Sequence, residues 1–230
     1  MILKPKNSED VSLAVKYAKD NSLIISVRSG GHSPEGHSTN TGGVIIDMTL
    51  LKDVKIIDSD NHIVRIGSGA VWGDVAKALQ GYDLGISSGD TKSVGVGGLT
   101  LGGGIGWMVR NHGLSIDHLV GAEIVTADGN ILQLSETENQ DLFWAIRGGG
   151  GNFGIVTHFD FKAYPLNKVV AGTIQYELDN LQNLLTKYRD IMRNSPEELN
   201  TSVLIMPSFG PQMPAAVNVV VCYSGTVRRC

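Results

Sequence analysis

Cysteine is nearly absent from this 230-residue sequence: Cys222 and Cys230 are the only two, and both lie near the C-terminus. No disulfide framework can therefore hold the main body. Long apolar runs are lacking too. No stretch approaches the roughly 18 residues needed to span a membrane. The opening MILKPKNSED has neither the apolar segment nor the cleavage pattern of a secretory signal, so a cytoplasmic location is expected. Positive charge is not in surplus. The formal net charge is −4, which argues against a nucleic-acid partner, because such proteins present a basic face. Blocks of like charge and low-complexity tracts are missing, which excludes extensive disorder. There is no C-x-x-C or H-E-x-x-H to suggest a metal site, no G-x-x-x-x-G-K-[ST] phosphate loop and no G-x-S-x-G hydrolase elbow. Of the scattered histidines His32, His37, His62, His112, His118 and His158, all but the first read as surface or structural residues.

Glycine is what the sequence has in excess. Its 29 copies are roughly twice the usual share of about 7%, and they gather at 29–43, 95–106 and 148–154. Such clusters serve backbone shape and let a ligand approach the main chain.

Between the clusters the pattern is that of an α+β protein. Asn7 or Ser8 can cap a helix whose apolar stripe is Val11, Ala14, Val15 and Ala18. Residues 23–27 read as a short buried strand and 43–47 as a second, a βαβ-like opening. Residues 54–58 and 63–66 suggest a hairpin, 72–79 a helix. Residues 120–127 and 130–134 suggest a hairpin turned at Asp128-Gly129. A short helix is expected at 141–147. A strand follows at 155–163, with Phe159, Phe161 and Ala163 on its buried face. Pro165 marks a boundary. Beyond it, strands near 172–176, 201–206 and 217–223 and a helix near 181–192 read as the start of another domain with an unpaired sheet edge. The sequence is read as incomplete at its C-terminus.

Three segments carry the chemistry. Arg28-Ser29-Gly30-Gly31-His32-Ser33 follows a strand, and its glycine pair can turn successive amides into an anion-binding nest. A tight turn with a solvent-facing histidine would have the same spacing. Gly89-Asp90-Thr91-Lys92-Ser93-Val94-Gly95-Val96-Gly97-Gly98, followed by Leu101-Gly102-Gly103-Gly104-Ile105-Gly106, is expected to form neither good helix nor good strand. Its interspersed apolar residues set it apart from a flexible linker. Arg147 to Val156 contains G-x-G-x-x-G at Gly149, Gly151 and Gly154, but it follows a helix and opens a strand, the reverse of the dinucleotide fingerprint.

Together with Gly113-Leu114-Ser115-Ile116-Asp117, these segments resemble the berberine-bridge-enzyme-like oxidases of the vanillyl-alcohol-oxidase (PCMH-type) FAD-binding superfamily. The resemblance covers roughly residues 1 to 166. It implies a two-subdomain FAD-binding domain, divided at about residue 48, with 167–230 as the start of a substrate domain of antiparallel sheet and helices. It implies that His32 bonds covalently to the 8α carbon of the flavin. It further implies a cofactor site drawn from Arg28, Ser29, Gly30, Gly31, Ser33, Ser38, Gly89, Asp90, Thr91, Val94, Gly97, Gly98, Gly102, Gly104, Gly106, Asn152, Gly154, Ile155 and Val156, in which Gly102, Gly104, Gly151 and Gly154 face the flavin or its ribityl chain. Relatives with a second link carry cysteine where this sequence has Thr91, so the attachment resembles the singly linked 6-hydroxynicotine-oxidase type. Val94 stands where, in the plant branch of the family, a small residue permits access of oxygen, which the resemblance takes as favouring an oxidase over a dehydrogenase. The family's usual base falls outside these residues, so no catalytic base is assigned.

The activity so implied is an oxidase that takes a hydride from an alcohol, sugar or amine and passes electrons to O₂, giving H₂O₂. A dehydrogenase with another acceptor and a flavin-binding chain without turnover are the alternatives. A cell-wall-precursor reductase ranks below these, because it lacks the G-G-H link.

Overall fold

The computed structural model describes residues 1–226; Val227–Cys230, and with them the second cysteine, lie outside the described residues. The chain divides into two contact units. One is Met1–Gly106 with Leu114–Pro165, and the other is Trp107–Gly113 with the described residues from Leu166 on.

In the first unit, strand β1 (Ile2–Leu3) leads to helix α1 (Ser8–Asp20). Asn7 is the cap, its side chain accepting from the Asp10 amide at 2.8 Å, which satisfies one of the amides a helix start leaves open. Val11, Ala14, Val15 and Ala18 are all buried, against Val44, Ile46, Met48, Val125 and Ile155. Strands β2 (Ile25–Arg28) and β3 (Val44–Asp47) complete a three-stranded parallel sheet in the order β1-β3-β2. The expected buried strand at 23–27 is shifted and is not buried: Ile24 is 70% exposed and Val27 38%. The reason is position. β2 is an edge strand of its sheet, so one of its sides has no strand to cover it.

A hairpin of β4 (Val54–Asp58) and β5 (Ile63–Gly67) is followed by α2 (Trp72–Gln80) and β6 (Leu84–Gly85). Next comes α3 (Val96–Leu101), a helix in the segment expected to be neither helix nor strand. Tertiary bonds override the poor propensity of its glycines. The Val96 amide donates to the Ala70 carbonyl at 2.9 Å and the Gly97 amide to the Ser68 carbonyl at 3.1 Å, while Val96 and Thr100 are fully buried. After α3 the chain passes into α4 (Val109–His112), part of the second unit.

Back in the first unit, β7 (Leu119–Val125) and β8 (Ile131–Ser135) form the hairpin around Asp128-Gly129, with Gly129 at φ +75°. Helix α5 (Gln140–Ala145) precedes β9 (Ile155–Lys162), and β10 (Tyr164–Pro165) pairs with β6. The large sheet has the order β4-β5-β9-β7-β8 and is antiparallel throughout. Phe159 and Phe161 on β9 are fully buried, with Trp72, Phe143 and Ile146 in the same core.

A polar network ties α1 to this sheet. The Glu123 carboxylate accepts from Ser8 Oγ, from Thr157 Oγ1 at 2.6 Å and from Gln133 Nε2 at 2.6 Å. Burial alone would raise its pKa, yet these hydrogen bonds and the neighbouring His158 hold it below the ordinary glutamate range. His158 Nδ1 lies 3.6 Å from Glu123 Oε1. Burial, and then the charge of Arg65, push His158 below the usual histidine value against the pull of Glu123 and Asp160. Arg65 makes a two-pronged pair with Asp160, both contacts at 2.8 Å.

The second unit contains β11 (Val170–Tyr176), α6 (Leu181–Arg193), β12 (Leu199–Met206) and β13 (Ala216–Tyr223), with an antiparallel sheet in the order β11-β13-β12. Arg110 on α4 acts as its clasp. The guanidinium donates to Ser195 Oγ at 2.9 Å and to the carbonyls of Met192, Ser195, Pro196 and Leu199. It thereby satisfies acceptors that the end of α6 leaves open. Every residue of β11 is exposed. Cys222 is buried, which pushes its thiol pKa up. Among the described residues, no helix is long and apolar enough to cross a membrane.

Candidate functional site

The first unit holds a cavity of about 710 Å³, within the range of roughly 300–1,000 Å³ usual for small-molecule sites. Its walls come from the end of β2 and the loop after it, from α3 and its approach, and from the glycine run that opens β9. The three motif segments, spread over more than a hundred residues of sequence, thus meet on one hollow. Of the sequence-predicted site residues, Ser29, Gly30, Gly31, His32, Ser33 and Ser38 line it from the first segment. Val94, Gly97 and Gly98 line it from the second, and Gly151, Gly154, Ile155 and Val156 from the third.

The others do not line it. Gly104 and Gly106 are spent on packing: a Cβ on Gly104 would strike Ser115 and Leu99, and one on Gly106 would strike the Ser88 carbonyl. Gly102 also lies off the wall, at the C-terminal cap of α3. The Asn152 side chain donates to the Gly149 carbonyl at 2.8 Å. Thr91 Oγ1 bonds Asp90 at 2.9 Å, and Gly89 packs on Leu99. Arg28 stands beside the glycine turn, its Nε 3.2 Å from where a Gly31 Cβ would be. Wall residues outside the motifs include Ser26, His37, Met48 and Ser68. No pattern marks them in the sequence, because they reach the cavity through the pairing of β2 and β3 and through the turn after β5.

The turn at 29–32 is held from behind. Ser29 Oγ donates to the Ser68 carbonyl at 2.6 Å and accepts from the Gly97 amide at 3.3 Å. This ties the loop after β2 to the start of α3 and leaves the Ser29 hydroxyl committed to the protein. Gly31 sits at φ +73°, a conformation that glycine adopts without steric cost. Among the described residues, the amides of Gly30, Gly31 and His32 donate no backbone hydrogen bond, so they are free for an anionic ligand. His32 is exposed on the cavity wall. Apolar contact comes from Val27, Met48, Leu99, Leu101, Ile155 and Val156, and no Lys or Arg lines the cavity among the described residues.

Comparison with known proteins gives a consistent result. Residues 1–135 match the family described as FAD binding domain. The chain is 38% identical over 225 residues to (R)-6-hydroxynicotine oxidase of Paenarthrobacter nicotinovorans, which covers 96% of this chain and 48% of that protein. The crystal structure of 6-hydroxy-D-nicotine oxidase from Arthrobacter nicotinovorans superposes with a TM-score of 0.91 at 37% identity, over 98% of this chain and 50% of the other. Glucooligosaccharide oxidase from Acremonium strictum, studied for its 6-S-cysteinyl, 8α-N1-histidyl FAD, gives a TM-score of 0.85 at 33% identity, over 98% and 47%. The chain spans about half the length of the relatives it matches.

Proposed function

This chain belongs to the FAD binding domain family, and from that premise we propose that it is the flavin-holding part of an FAD-linked oxidase with one covalent attachment, at His32. The observation that carries the reading is the convergence of R-S-G-G-H-S, α3 and the Gly150–Val156 run on a single cavity. The residues present suit the cofactor. The unbonded amides of Gly30, Gly31 and His32 are anion donors fit for its pyrophosphate. Leu99, Leu101, Ile155 and Val156 give an apolar wall fit for a flat ring system. His32 offers a ring nitrogen on the cavity surface.

When bound, the flavin supplies the two-electron acceptor for hydride removal from an alcohol, sugar or amine, with O₂ as the final acceptor. The chain's own residues position it. The 29–32 turn fixes the phosphates, His32 tethers the ring, and the aliphatic residues of α3 and β9 keep water from one side. Thr91 carries no thiol, so a second link of the cysteinyl kind has no partner there.

The test is acid denaturation. The precipitated protein should stay yellow and carry the added mass of one FAD, and His32→Ala should release the flavin. Complete loss of flavin from the denatured wild-type chain would show the covalent reading to be wrong.

A further inference from the structure

We propose that Ser68 is a cofactor-binding residue, its hydroxyl donating to a phosphate or ribityl oxygen of the FAD that the cavity takes up. This rests on the flavin reading above. Ser68 is 3% exposed and lines the cavity. Its backbone is fully engaged: the amide donates to Thr157 O at 2.9 Å, and the carbonyl accepts from Ser29 Oγ and from the Gly97 amide. The residue is therefore fixed at the base of the 29–32 turn. Its hydroxyl is different. Ser68 Oγ is buried without a hydrogen-bond partner among the described residues. Buried hydroxyls are nearly always paired, and one left unpaired costs stability.

Two hydroxyls of the turn itself are already committed, and those of Ser26 and Ser38 on the same wall are not among the buried unpaired ones. Ser29 Oγ is spent on Ser68 and Gly97, and Ser33 Oγ bonds Glu35 at 3.2 Å. Thr100 Oγ1 is also buried and unpaired, but Thr100 does not line the cavity. With no Lys or Arg on the wall among the described residues, a bound diphosphate would depend on neutral donors. Ser68 is such a donor, within one hydrogen bond of the residue that starts the nest.

The experiment uses the full chain carrying His32→Ala, so that flavin exchanges reversibly. It is stripped of flavin and titrated with FAD by fluorescence. Adding Ser68→Ala should raise the dissociation constant about three- to tenfold. The Tm of the unloaded chain should stay the same or rise. Thr100→Val in the same background should raise that Tm and leave the dissociation constant unchanged. Ser68→Cys, which keeps the volume but donates weakly, should behave as Ser68→Ala and serves if the alanine variant folds poorly. In chains with His32 intact, reconstitution at limiting FAD gives a second reading, and the Ser68 variants should show lower flavin occupancy. Equal affinity and equal occupancy would overturn the assignment of Ser68 while leaving the flavin reading standing. A wild-type chain that takes up no FAD would overturn both.

Discussion

Gly30 and Gly95 touch backbone to backbone. A Cβ placed on Gly30 would collide with the Gly95 amide nitrogen, and one on Gly95 would collide with the Gly30 amide nitrogen and with Ser29 Oγ. Two of the glycine clusters therefore exist partly for each other. Gly30→Ala or Gly95→Ala should each destabilise the chain by about 1–3 kcal/mol through overpacking, read as a lower urea midpoint in flavin-free protein. An unchanged midpoint in both would mean that the loops separate at little cost.

Gly98 makes a contrasting case. It lines the cavity, lies within α3, and has open space where a Cβ would go. Gly98→Ala should stabilise the unloaded chain by about 0.5–1 kcal/mol, since alanine favours a helix over glycine. It should also weaken flavin uptake, because the methyl group takes cavity space. Stabilisation with undiminished FAD binding would remove Gly98 from the site.

Proteolysis of the flavin-loaded chain should yield one flavin-bearing peptide, containing His32. Nothing from residues 89–98 should carry flavin, because Thr91 bonds Asp90 and has no thiol to offer. Mass spectrometry of the yellow peptides decides the matter, and flavin on any other peptide contradicts the single attachment.

Acid should loosen α1 from the large sheet. Glu123 is held below its ordinary range, so the stability it contributes is present above its unfolded pKa and is lost as pH falls through its folded value. His158 acts in the same direction. Its folded pKa lies below the ordinary value of about 6.5, so below that pH the unfolded chain binds a proton that the folded chain resists. Stability should thus decline from about pH 6.5 downward. His158→Gln should flatten the upper part of the decline, just below about pH 6.5. Urea midpoints across that range test this, and an unaltered slope in the variant would exclude His158 as a source.

Arg110→Ala should free the end of α6. Removing a charged donor from several carbonyls costs about 1.5–3 kcal/mol. Arg110→Lys should not restore it, because an ammonium cannot reproduce the planar fork. Limited proteolysis should cut near Asn194–Glu198 faster in both variants. Equal resistance would show the clasp to be dispensable.

Much of this was legible in the sequence because local patterns sufficed. The stripe Val11, Ala14, Val15 and Ala18 and the alternation of Phe159 and Phe161 state their burial in their spacing, and Asp128-Gly129 states a turn. α3 was not legible. Its glycines argue against a helix, and bonds from Val96 and Gly97 to a distant turn decide otherwise. Gly104 and Gly106 carry the same letter as Gly98 but serve packing, and only their neighbours Ser115 and Ser88 reveal it. Ser68 stood outside every motif. Its significance lies in a hydroxyl that finds no partner, and a sequence does not show that.

Arg110 also bears on how such proteins can be recombined. The residue that fastens α6 lies in Trp107–Gly113, more than fifty positions upstream of the helix it holds. A chimaera joined at Pro165 would unite the clasp of one parent with the helix of another. Crossovers that move 107–113 together with the later half should therefore yield folded hybrids more often than a single cut at the apparent boundary.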